Sequence, residues 1–132
     1  MSSTAYLIVA ESVPYEELRA FMLERGGEEV RAIAKDVYEF FVPLKEGYLI
    51  IYAEPNYVPK IFDEFDQNEW DLITKKLGAV AKMLLEIDVS GDAEPSEYYR
   101  IASDFCKNWP SVFQDVGEDI LTYEEIRERI LM

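Results

Sequence analysis

The chain has no histidine among its 132 residues. That absence removes the Ser-His-Asp and Cys-His nucleophile systems. It also leaves zinc a poor ligand set, one cysteine plus carboxylates. Cys106 is the single cysteine, so no intrachain disulfide forms. A reactive thiolate needs a basic neighbour. Lys107 is next in sequence but points elsewhere on a helix, so Cys106 reads as a buried or half-buried structural thiol. No apolar run approaches the roughly 18 to 20 residues that span a bilayer. The opening "MSSTAYLIVAESVP" lacks the basic start and long apolar stretch of a signal peptide, and a cytoplasmic location is the expectation.

Motifs with dedicated chemistry are missing as well. There is no P-loop, no G-x-G-x-x-G and no nucleophile elbow. The acid-rich "DEFDQNEWD" lacks the alternate spacing and the central glycine of an EF-hand. No metal, no cofactor and no enzymatic activity are therefore expected. Bases are scarce too, 13 against 27 acids, for a net charge of −14. Direct nucleic-acid binding needs a basic face to neutralise phosphates, and anionic membranes make the same demand. Both are disfavoured, and a basic protein partner is favoured.

What is present is enough for one folded domain over residues 1–132. The apolar fraction is 49% and the aromatic fraction 14%, whereas disorder needs low hydrophobicity as well as net charge. A core of this size forms without disulfides or metals.

The pattern reads in order. "AYLIVA" (5–10) is a short buried strand. A helix follows with Pro14 in its first turn and Tyr15, Leu18, Phe21 and Met22 as its stripe, and Gly26 and Gly27 end it. Residues 28–36 fit helix and strand alike, and a strand starts at about Val37. "PLKEG" is a turn, and "YLIIYAE" completes a hairpin. Asp66 or Asn68 caps a helix over 67–77 with Trp70, Ile73 and Leu77 inward, and Gly78 stops it. Leu85, Ile87 and Val89 alternate with Glu86 and Asp88 in a one-sided strand. Tyr98, Ile101, Ala102, Phe105 and Trp109 form a helical stripe, with Trp109 expected in the core. "SVFQDV" is a short strand, and "TYEE" is a capping box that opens a last helix. The order β-α-β-β-α-β matches the ferredoxin-like split βαβ, extended by α-β-α. The expected fold is α+β, one mostly antiparallel or mixed sheet covered by helices.

Two acidic clusters stand out. Residues 54–71 hold six acids and one base, Lys60. Amphipathicity explains Phe62, Phe65 and Trp70 as core but does not require an outer face of one sign. Asp63, Glu64, Asp66, Glu69 and Asp71 are therefore candidate partner-binding residues. In the second cluster, Asp115, Glu118, Asp119, Glu124 and Glu125, the helix dipole and the cap account for most. Glu118 and Asp119 are left over and join the candidates. Tyr57 joins them as an exposed aromatic anchor, and Tyr99 is also expected to be exposed.

The function expected from these features is an acidic binding protein that neutralises a basic protein. Its most specific form is an immunity-type inhibitor of a bacterial toxin such as a nuclease. The rival readings are a nucleic-acid-mimicking antagonist of a DNA-binding enzyme, a carboxylate-based hydrolase, and a structural subunit of a homodimer or larger homo-oligomer.

Overall fold

A computed structural model describes residues 3–34, 37–54 and 65–131. Its elements are β1 (Ser3–Val9), α1 (Tyr15–Glu24), β2 (Glu28–Ala34), β3 (Val37–Pro43), β4 (Tyr48–Glu54), α2 (Gln67–Leu77), β5 (Met83–Val89), α3 (Pro95–Asn108), β6 (Ser111–Gln114), β7 (Ile120–Leu121) and α4 (Tyr123–Leu131). The seven strands form one sheet in the order β2-β3-β4-β5-β1-β6-β7, and every pairing is antiparallel. The class is α+β. Along the chain, the edge strand β2 and the two-residue β7 are added to the expected β-α-β-β-α-β and α-β-α. The ambiguous residues ahead of Val37 turn out to be strand through Ala34, at the edge of the sheet.

Local signals place the helix ends. Asp66 caps α2, accepting from the Glu69 N–H at 2.8 Å, while Glu69 Oε1 accepts from the Asp66 N–H at 3.0 Å. Gly78 closes α2 at φ 71°, a left-handed conformation that glycine adopts without steric cost. Thr122 and Glu125 form the second capping box, at 2.9 and 3.3 Å.

Strand alternation sends side chains to two faces. On one face, Leu7, Val9, Phe40, Leu49, Ile51, Leu85 and Ile87 pack with Leu18 and Met22 of α1, Ala102 and Phe105 of α3, and Ile126 of α4. Fully buried rings such as Phe40 and Phe105 each contribute about 1.5 to 3 kcal/mol of hydrophobic stabilisation. On the other face, a smaller cluster joins Ile8, Leu84, Val112 and Ile120 to Phe65 and to Ile73 of α2. Trp70 and Leu77 are half-buried against it. Trp109 is half-buried rather than fully in the core. It is the residue that ends α3, where the stripe leaves the sheet. Among the described residues, no helix is long and apolar enough to cross a membrane.

Candidate functional site

α2 packs on β6 and β7, at one end of the second face. Along β3, β4 and β5 the same face carries Glu39, Phe41, Ile50, Tyr52, Glu86 and Asp88, all half-buried. Register fixes their neighbours. One row across the strands runs Glu39, Tyr52, Glu86, Tyr6, Gln114, and the next runs Phe41, Ile50, Asp88, Thr4. Tyr48, 42% exposed, stacks on Phe41 with ring centroids 5.4 Å apart.

Neighbouring strands lie about 4.8 Å apart, so carboxylates surround the Tyr52 ring. The phenol registers them. Its pKa is raised above the usual tyrosine value, first by burial and then by the charges of Asp88, Glu39 and Glu86. The result is an aromatic platform rimmed by negative charge, suited to a guanidinium or ammonium group that meets a ring face and a carboxylate together.

Of the sequence candidates, Asp66, Glu69 and Asp71 lie on or beside α2. Asp63, Glu64 and Tyr57, with Phe62, lie outside the described residues. Asp66 is the cap of α2. Asp71 accepts from the Gln67 side chain at 2.8 Å. Glu69 accepts from Gln114 Nε2 at 2.9 Å, and the same nitrogen lies 3.5 Å from the Glu118 carbonyl. Gln114 therefore brings the two acidic clusters together at the end of the row that holds Tyr52. Glu118 is exposed there, at φ 72°.

Asp119 is drawn elsewhere. It pairs with Arg129 Nη2 at 2.7 Å, while Arg129 Nη1 bonds the buried Asp115 at 2.7 Å. Tyr99 is not the exposed anchor expected. It is half-buried, donates to Asp115 at 2.5 Å and receives Arg129 at 3.2 Å. This network ties α3, α4 and the β6–β7 turn together. Cys106 lies partly buried, and burial pushes its thiol up to about 11, only partly offset by a hydrogen bond with Ser111. It is protonated at neutral pH, as a structural thiol should be. Among the described residues, no group of three or more carboxylate and thiol side chains is placed to hold a metal ion.

Glu39, Glu86 and Asp88 were not singled out from the sequence. Their signal was the alternation itself, since a strand that buries one side and places acids on the other declares an acidic face. No protein-family description, curated protein or solved structure matches the chain.

Proposed function

We propose that the chain is a non-enzymatic acidic protein that binds and neutralises a basic protein through the β3–β4–β5 face and the adjoining first turn of α2. In its most specific form it is a cytoplasmic immunity-type inhibitor that covers the cationic active site of a bacterial toxin. The supporting observation is the ring of Glu39, Glu86 and Asp88 about Tyr52, in a chain of net charge −14. Aromatic anchors supply contact area, and surrounding acids steer a cationic surface into register.

The platform favours a protein partner over duplex mimicry. Residues two apart on a strand are about 6.8 Å apart, so Glu86 and Asp88 alone approach the phosphate repeat. Tyr52 and Ile50 stand opposite them on β4 and interrupt any second acid row. A proton-sharing carboxylate pair needs its groups about 3 Å apart, whereas Glu39 and Glu86 have Tyr52 between them.

The test compares the wild-type chain with Glu39→Gln/Glu86→Gln/Asp88→Asn. Both are immobilised and exposed to the source cell's proteins at low and high salt, and any retained basic protein is purified and titrated against each. The expected outcome is about a tenfold or greater loss of affinity, mostly in the association rate, with a weaker salt dependence. The partner's toxic or enzymatic activity should be abolished by one equivalent of wild type. Equal binding by the two chains, or retention of no basic protein by the wild type, rejects the reading.

A further inference from the structure

A second constellation lies on the opposite side of the sheet. Arg100, Ser103, Asp104 and Lys107 of α3 and Tyr123, Arg127 and Ile130 of α4 line a groove of about 280 Å³. The spacing explains the convergence. Residues 100, 104 and 107 share one stripe of α3, and residues 123, 127 and 130 share one stripe of α4. The apolar sides of α3 and α4 pack into the core, and the groove along their outer edge collects three exposed cations.

Among the described residues, Arg19, Arg25, Lys76 and Arg129 each have a carboxylate partner, whereas Arg100, Lys107 and Arg127 are not neutralised by an ion pair, as is also true of the scattered Lys45, Lys75 and Lys82. The groove's one acid, Asp104, is already engaged by Arg25 at 3.2 Å. Arg127 spends one N–H on the Tyr123 hydroxyl at 3.1 Å, and a guanidinium has five. The sheet-face acids lie across the core, and at physiological salt charges more than about 8 Å apart are largely screened. The lining holds three cations against one engaged acid, with Glu97, Glu124 and Glu128 on the same two helices outside it.

We propose that the α3–α4 groove binds a small phosphomonoester, its phosphate held by Arg100, Lys107 and Arg127 and its organic body lying against Tyr123 and Ile130. Two guanidinium forks on opposite walls match a tetrahedral dianion, and the lysine adds a point charge. The volume falls just below the roughly 300 to 1,000 Å³ of drug-sized sites, large enough for a phosphate and a small organic body. The tyrosine ring and Ile130 supply the apolar surface that an inorganic ion would leave unused. This site is independent of the acidic face and of its partner.

The test is an amide NMR titration of the full chain with inorganic phosphate and, separately, with phenyl phosphate. Saturable shifts should concentrate in residues 100–107 and 123–130, with phenyl phosphate binding more tightly than inorganic phosphate. Lys107→Gln/Arg127→Gln should weaken both by about tenfold or more, since two charge-assisted contacts are removed. Both side chains are exposed, so an unchanged melting temperature will confirm that the variant folds. Shifts that rise linearly without saturation, or binding that survives in the variant, overturn the site. Equal affinity for the two probes overturns the phosphomonoester assignment.

Discussion

Gln114 donates its side-chain amide to Glu69 at 2.9 Å, which joins the first turn of α2 to the last residue of β6. Gln114 is buried, 5% exposed, and its removal takes from the half-buried Glu69 the partner of one carboxylate oxygen, while the other keeps the Asp66 N–H. Gln114→Leu should destabilise the chain by about 1 to 3 kcal/mol. Glu69→Gln, which keeps an acceptor for the same amide, should cost less. Urea denaturation of the two variants at one pH decides the order, and the reverse order would mean that the contact contributes nothing.

Neutralising the sheet-face acids should reach the Tyr52 phenol directly. In Glu39→Gln/Glu86→Gln/Asp88→Asn its pKa should fall toward the ordinary value yet stay above it, because burial is the largest cause of the rise. Tyrosine-labelled NMR across an alkaline titration reads this. An unchanged pKa would show that the three carboxylates do not face the ring.

Alkaline pH should unfold the chain through groups that the fold keeps protonated. Burial raises Tyr98 from 10.0 to about 12 and Cys106 from 9.0 to about 11. In that range the unfolded chain loses these protons first, so it binds fewer protons than the native state and stability falls as pH rises. The contribution is fully present below pH 9, declines from 9 to 12, and is lost above the folded values. Tyr98→Phe should flatten the later part of the decline, and equal slopes for variant and wild type would count against a buried phenol.

The Arg129–Asp115 pair should be the most sensitive polar site. Asp115 is 6% exposed by side chain and Arg129 32%. Breaking a fully buried pair costs about 3 to 5 kcal/mol, and the partial exposure of Arg129 lowers the expectation to about 2 to 3 kcal/mol for Asp115→Ala. Arg129→Met in the same background should cost less than in the wild type, because Asp115 is gone while Asp119 and the Tyr99 hydroxyl remain as partners. A double-mutant cycle measures that coupling, and full additivity would deny it.

Trp109→Ala should cost about 2 to 3 kcal/mol, below the 3 to 5 of a fully buried large aromatic residue. Its ring sits 4.8 Å from Phe105 and 5.5 Å from Phe21, but one side remains at the surface. Chemical denaturation provides the check, and a loss under about 1 kcal/mol would show that these ring contacts are dispensable.

Local interactions were determined by the sequence alone. The Asp66 and Thr122 caps, the Gly78 stop, the stripe of α3 and the alternation in β5 all depend on residues within a few positions of one another, so each is legible as a spacing. Pairings between distant segments were decided by the tertiary structure. Val30, Ile33 and Ala34 are spaced as on a helix, yet antiparallel pairing of Glu28 with Phe41 at the sheet edge makes the segment a strand. β7 is two residues long, too short to have a period, and exists because β6 offers it a partner. The acidic face has the same origin. Glu39 and Glu86 stand on either side of Tyr52 because register follows from which side chains the sheet must bury, and no spacing along one strand records which strands will lie beside it.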